Sequence, residues 1–530
     1  MLSDASSLPD NVDELRQCIV SIKQEYETQI SFLHEQIRHL RSKLFGRKAE
    51  RYIEGGHEQV PLFDEVEQVA SSDEDNGSDE VAVAAHKRKK RGRKPLPEAL
   101  PRVEVIHDLA ENDKVCACGS QLSKIGEEVS EKLDYIPAKL QVIRHIRYKY
   151  ACKSCEGVES EAGAVKTAPP PAQIIPKGIA TPGLLAHILV SKFCDALPFY
   201  RQTKIFQRLG IEIPRASMAN WAIQVARQCR PLLELLRSEI LSGPLVNIDE
   251  TTVQVLKEPG RANTTRSYMW IFRGGQPDQP ALVYQYHPSR SGQVPRGYLK
   301  DYRGFVQTDG YSGYDALGLQ PGIVHVGCWA HARRKFVEVV QARKSNGHQK
   351  SKTGSGDVAL SYIGKLYRIE SIAKQHVYSP EQIRELRQEK AKPILDEFRA
   401  WLENRSNQTP PKGLLGQAIS YTLNQWHRLI RYLDDGRLRP DNNLVENAIR
   451  PFVVGRKNWL FSGHPRGANA SAALYSLIET AKANRFEPYL YLRFLFAHLP
   501  TASTTDDYKA LLPQYLDRGQ YLRDSLSAVY

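Results

Sequence analysis

Three shortages frame this chain. No apolar stretch approaches the roughly 20 residues that a membrane helix needs. The opening segment, MLSDASSLPDNVDELRQ, lacks both the positive start and the apolar run of a secretory leader. Cysteine is scarce, with eight in 530 residues, which excludes a disulfide framework and predicts a reducing, cytoplasmic setting. Acidic charge is also short: 60 Asp and Glu face 73 Lys and Arg, leaving a net charge of +13. That imbalance is unusual for an enzyme of small molecules and fits an anionic polymer partner, usually nucleic acid. The 41% hydrophobic and 25% charged content is otherwise that of an ordinary globular protein. The length predicts roughly three or four domains.

What is present is arranged in blocks. Leu15, Ile19, Ile22, Tyr26, Ile30, Leu33, Ile37, Leu40 and Leu44 alternate spacings of three and four, with one consecutive pair of fours. This is a coiled-coil seam with a local stutter, predicted over 1–50 and suited to homo-oligomerisation. A lone amphipathic helix packed on its own protein would give the same spacing. Residues 51–100 form a charge-segregated linker with an acidic tract (Asp64 to Glu80) followed by HKRKKRGRKPLP. Neither half carries enough apolar surface to fold alone. The RGRKP core, with Arg91, Arg93 and Lys94, is similar to an AT-hook, whose flat arginines enter a narrow minor groove. A lysine between the second arginine and the proline departs from that pattern, so non-specific phosphate binding is an equal reading.

Residues 101–165 hold four cysteines in two pairs, Cys116 with Cys118 and Cys152 with Cys155, separated by a β-branched and aromatic stretch. Two thiolate pairs on turns joined by strands are how a zinc ribbon builds a tetrahedral Zn²⁺ site. The second pair has C-x2-C spacing, whereas the first is a tighter C-x-C. His107 or His145 would be the substitute ligand. Residues 166–243 turn helical, with Pro182 and Pro198 at helix starts and Gly210 at a helix end, and PRASMANW opening what resembles the second helix of a helix-turn-helix. Strand signals dominate from about 244 to 330, and WAHARRKF then begins a long helical region that carries a Gly/Ser/Lys loop and reaches about Leu438. The domain bounds that follow are 244–340 for the strand-rich part, 341–440 for the helical part, 441–497 for a part marked by short helices, and 498–530 for a C-terminal tail.

Three acids interrupt this pattern. Asp249 and its neighbour Glu250 break the apolar run PLVNIDETTVQV, Asp309 lies within GFVQTDGYSGY, just past a strand and ahead of a glycine turn, and Glu446 lies in RPDNNLVENAIRP. In the last segment Asp441 or Asn442 is placed to cap a short helix that Pro451 limits, setting Glu446 and Arg450 one turn apart. Two carboxylates at neighbouring strand ends and one from a helix are an oxygen-ligand set suited to Mg²⁺. A pair of such ions, about 4 Å apart, activates an attacking oxygen and stabilises a leaving one in phosphoryl transfer. Glu250, by strand alternation, is expected on the opposite face and in a supporting role.

The motifs NIDETTVQV, VQTDGYSGY, HVGCWAHARRKF and NNLVENAIRPFVVGRKNWLFSG resemble those of the insertion-sequence sixty-six family of bacterial DDE transposases. The order of zipper-like helix, LRSKLFGRKAER, cysteine module and catalytic region is similar as well. The resemblance implies an α/β ribonuclease-H-like core, split into parts by a helical insertion, with Asp249, Asp309 and Glu446 as its metal-binding triad. It also implies DNA partners, namely the element's own ends and a target, with small accessory proteins encoded alongside and action in the bacterial cytoplasm at the nucleoid. The expected chemistry is end cleavage with Mg²⁺ or Mn²⁺, freeing a 3′-hydroxyl that attacks target DNA; a catalytically silent zinc-containing regulator is the rival. Arg333, Arg334, Lys335, Arg450, Arg456 and Lys457 are the expected phosphate contacts. Cys328 and His331 form a C-x2-H pair; two ligands do not make a zinc site, so they read as structural or DNA-proximal. Trp459 and Phe461 read as core.

Overall fold

A computed structural model of the protein describes residues 11–45, 140–151, 165–167, 169–344, 354–519 and 521. The linker residues Arg91, Arg93 and Lys94, the ligand candidates Cys116, Cys118, Cys152 and Cys155, and His107 lie outside the described residues. The chain divides into two compact units, 62–168 and the remainder. In the smaller unit, β1 (Lys149–Ala151) pairs antiparallel with β2 (Val165–Thr167), and in sequence the C-x2-C pair falls between the two strands. His145 is exposed.

In the larger unit, α1 (Val12–Phe45) is a single helix, and its seam residues Ile19, Tyr26, Ile30, Leu33 and Ile37 are exposed. Four helices then precede the sheet: α2 (Pro182–Phe193), α3 (Phe199–Arg208), α4 (Arg215–Gln228) and α5 (Arg230–Ser242). Pro182 occupies the first turn of α2, and Thr181 caps it by accepting the Leu184 N–H at 3.2 Å. Gly210, at φ +82°, turns the chain after α3, a backbone conformation that favours glycine.

The centre is a six-stranded mixed sheet. β3 (Leu245–Val255), β4 (Arg266–Gln276) and β5 (Gln279–His287) form an antiparallel meander. After α6 (Gln293–Tyr298), β6 (Gly304–Gln307) and β7 (Ile323–Val326) add in parallel on the other side of β3, giving the order β5-β4-β3-β6-β7. The apolar run before Asp249 is therefore a central strand, with Val246 and Ile248 fully buried. The free edge of β5 is closed by side chains. In α13 (Pro465–Ala483), Ser476 and Thr480 accept the N–H groups of Tyr284 (2.8 Å) and Leu282 (3.0 Å), and Asn484 just beyond donates to the Pro280 carbonyl at 2.8 Å. These residues recur every four positions, on one face of the helix, so they satisfy strand groups that would otherwise stay unpaired.

Between β7 and the last core helices lies a helical layer: α7 (Trp329–Lys344), α8 (Ser355–Gln375), α9 (Pro380–Leu386), α10 (Lys392–Asn407) and α11 (Leu414–Leu429). It has its own apolar core around Trp329, Phe336, Phe398 and Trp426. The chain returns to the sheet with α12 (Asn443–Trp459) and β8 (Phe461–Ser462), which pairs with the end of β3, and finishes with α13, α14 (Pro488–His498) and α15 (Thr505–Ala510). Leu512, past α15, is fully buried in the sheet's core.

Two local expectations need correction. Pro451 does not limit the helix around Glu446: α12 runs through it to Trp459. The lost hydrogen bond at a proline is offset by packing, with Phe452 fully buried against Tyr475. Phe461, expected in the core, is exposed on β8. No described helix is long and apolar enough to cross a membrane.

Candidate active site

The sheet register decides where the first two acids stand. β3 and β6 pair in parallel as Leu245↔Phe305, Val246↔Val306 and Asn247↔Gln307. Asp249 and Asp309 each follow two residues beyond the last pair, at matching positions where β6 ends while β3 runs on, paired along its other edge with β4. Gly310 completes the turn: a Cβ there would collide with the ring of Tyr421. The Asp309 carboxylate accepts the Tyr311 N–H at 3.0 Å, fixing its direction.

Glu446 enters from the first turn of α12, and an amide relay places that helix. Asn247 donates to both Gln307 Oε1 (3.0 Å) and Asn442 Oδ1 (2.9 Å). Asn442 donates in turn to the Ile248 carbonyl at 3.0 Å, and Gln307 donates to the carbonyls of Gly327 (3.1 Å) and Arg439 (2.8 Å). All three amides are buried. Asn442 stands at the N-cap position but makes no side-chain cap bond, because its amide is committed to β3. Buried amides linked this way specify geometry, since breaking one link strands its neighbours. The relay was not foreseen from the sequence, although a signal existed: an amide stands two residues before each aspartate, in Asn-Ile-Asp and Gln-Thr-Asp.

Electrostatics separates the acids. Burial, then the charges of Glu250 and Asp309, push the Asp249 carboxyl well above its usual range, with Glu446 adding a smaller push. The Glu250 N–H, at 2.8 Å, opposes this. Among the described residues neither Asp249 nor Asp309 has an ion-pair partner. Glu250 is different: its side chain, 2% exposed, pairs with Arg290 (2.6 Å) and accepts the Tyr314 hydroxyl. Burial raises it, while Tyr314 and Arg290 pull back. Arg290 also stacks on Tyr311, 3.6 Å from the ring centre.

The basic candidates are spread around this centre. Arg334 reaches Glu446 at 3.8 Å and is half exposed; Lys335 lies over Tyr421 at 4.8 Å. Arg450 is half-buried one turn beyond Glu446, and Arg333 is half-buried on α7. Arg456 is tied to β3, donating to Thr251 Oγ1 (3.1 Å) and Thr252 Oγ1 (3.0 Å) as well as to the Thr252 carbonyl. With exposed Lys457 and with Arg266, it lines a cavity of about 440 Å³ beside β3. Cys328 and His331, which looked incomplete as a pair, meet Glu446: one ligand atom from each lies within 4.8 Å of the others. Burial pushes the Cys328 thiol up to about 12 and lowers His331, the latter partly opposed by Glu446.

Comparison with known proteins gives this arrangement its class. Residues 177–470, more than half the chain, match the Transposase IS66 family, and 476–514 match the IS66 C-terminal element. Residues 113–156, which include all four paired cysteines, match the zinc-finger binding domain of transposase IS66; residues 32–105 match a model described as Transposase C of IS166 homeodomain. These matches define a DNA-processing transposase with a zinc-binding, DNA-binding region. Relatives in Sinorhizobium fredii span the whole length: uncharacterized protein y4jD is 34% identical over 96% of both chains, and uncharacterized protein y4qI is 31% identical over 97% of this chain and 98% of its own. The chain belongs to the IS66 family of transposases.

Proposed function

We propose that this transposase binds the terminal repeats of its own insertion sequence, hydrolyses the phosphodiester at each end, and joins the freed 3′-hydroxyl to target DNA. Asp249, Asp309 and Glu446 are the proposed catalytic carboxylates. The carrying observation is the matched placement of Asp249 and Asp309 at adjacent strand positions without an ion-pair partner among the described residues, and with Glu446 close enough to raise Asp249 further. Half-buried acids that repel one another suit a hard divalent cation, Mg²⁺ or Mn²⁺, as two ions. Such ions, when bound, supply charge neutralisation and activation of the oxygen nucleophile.

The chain's own residues do the positioning. The Asn247–Gln307–Asn442 relay holds two strand ends and one helix start in one frame. Arg333, Arg334, Lys335, Arg450, Arg456 and Lys457 contact phosphates around the carboxylates, and Arg91, Arg93 and Lys94 hold DNA from the linker. The strand order β5-β4-β3-β6-β7, antiparallel then parallel, supports a ribonuclease-H-like core interrupted by the helical layer. Cys116, Cys118, Cys152 and Cys155 are the proposed Zn²⁺ ligands of the matched zinc-finger region. The exposed seam of α1 supports a coiled coil with a second copy, so that two ends are handled together. The protein acts in the cytoplasm on nucleoid DNA, with accessory proteins of the same element.

The test is a cleavage and joining assay on element ends with Mg²⁺ or Mn²⁺, run beside a strand-transfer assay with pre-cut ends. Metal-dependent nicking plus joining is expected. Binding without either reaction would identify a silent regulator, and nicking without joining a nuclease.

A further inference from the structure

The third acid faces two ways. On one side it meets Asp249 electrostatically; on the other it meets a softer donor set. Cys328 immediately precedes α7, and His331 lies three residues on, so the pair shares a face of that helix. His331 Nδ1 stands 3.6 Å from Glu446 Oε1, too far for a hydrogen bond, and both atoms are buried without a hydrogen-bond partner among the described residues. An ordinary ion pair would close that gap. Two orphaned polar atoms facing each other are costly, and a shared cation removes the cost from both. The Cys328 sulfur is held in place by the Asn442 N–H at 3.2 Å, so the relay that positions Glu446 also positions the thiol.

We infer that Cys328, His331 and Glu446 form a second cation site, selective for a borderline-soft divalent ion such as Zn²⁺, whose occupation withdraws Glu446 from Asp249 and Asp309. A sulfur, an imidazole nitrogen and one carboxylate oxygen are zinc chemistry, with the fourth position open to water. Mg²⁺ prefers oxygen donors only, so the two ions do not compete for the same full set. The metal–sulfur bond forms as the thiol proton leaves to solvent, and binding releases that proton. Free zinc thereby restrains the transposase. The binding half stands on the geometry alone; the inhibitory half rests on Glu446 being the third catalytic carboxylate.

The experiment uses full-length protein equilibrated with Zn²⁺ alone, with the bound zinc counted by elemental analysis. Wild type is expected to hold one zinc more than Cys328→Ser and than His331→Gln, with the cysteine module's zinc common to all three. Near-ultraviolet and visible spectra of the Co²⁺-loaded proteins should differ by one thiolate-bearing site. End cleavage in Mg²⁺ is then titrated with zinc, each variant referred to its own zinc-free rate. The variants should need at least about tenfold more zinc for the same loss. Equal zinc counts in wild type and in a variant with unaltered circular dichroism would overturn the site; if Cys328→Ser fails to fold, His331→Gln decides. Extra zinc in wild type without loss of cleavage would overturn the inhibitory half. Unimpaired cleavage by Glu446→Gln would overturn the catalytic reading instead, while the zinc count still judges the site.

Discussion

Two kinds of carboxylate sit along strand β3, and the protein treats them oppositely. Glu250 is clamped by Arg290 and Tyr314. Beyond the strand's end, buried Glu258 is enclosed by Arg261, Ser267 and Tyr286, with Ser267 donating at 2.6 Å. Asp249, one residue from Glu250, has a backbone N–H and otherwise the charges of other acids around it. The contrast teaches how to read a buried acid. One with a cation and hydroxyls around it is a completed piece of structure, whereas acids that face each other are completed only by something cationic from outside.

Neutralising both kinds of acid gives the largest expected effect. Asp249→Asn, Asp309→Asn and Glu446→Gln should each lower metal-dependent end cleavage by roughly a thousandfold or more, equivalent to at least about 4 kcal/mol of barrier. DNA binding in gel-shift assays should survive. Glu250→Gln should keep cleavage within severalfold of wild type. Loss of its charge should instead cost stability, about 2 kcal/mol after allowing for an Arg290 side chain that is 41% exposed, read as a lowered melting temperature. Equal activity losses at 249 and 250 would erase the distinction.

A smaller effect separates the two neighbouring cations on α12. Lys457→Ala should weaken DNA binding uniformly across sequences and reduce the salt-dependence slope by about one. Arg456→Ala should do the same and also cost about 1.5 kcal/mol of stability, because its guanidinium straps α12 to Thr251 and Thr252. Denaturant titration beside a salt series of binding curves reads both.

The smallest effect is on the metal-free protein's stability against pH. The folded-state pKa of Asp249 is raised, so between the ordinary carboxylate range and that raised value the folded chain holds a proton that the unfolded chain has released. Stability is therefore lost as pH rises through that window. At pH 8 without metal, Asp249→Asn should melt higher than wild type by about 2–4 °C, and the gap should shrink as pH falls toward 4 or when Mg²⁺ is added to wild type. A gap independent of both pH and Mg²⁺ would mean that burial, not charge, governs Asp249.

Several of these features were legible in the residues. Charged Asp249 and Glu250 in an apolar run, Asp309 before a glycine, and helix starts at Pro182 and Pro198 are local signals, and local signals survive in sequence. The same locality explains the misses. The continuation of α12 through Pro451 depends on Phe452 packing against Tyr475, far along the chain. The relay from Asn247 to Asn442 spans 195 positions, and no window that short-range patterns use can see it.

The family, the basic character that fits DNA, the cysteine module and the candidate acids are all written in residue identity and near-neighbour spacing, and so are legible without a fold. The folded chain was needed to place Asp249 and Asp309 at matching positions, to pair Glu250 with Arg290, and to bring Cys328 and His331 to Glu446. The physical reason is that a carboxylate's role depends on what compensates its charge, and here the compensating groups come from strands and helices remote in the chain.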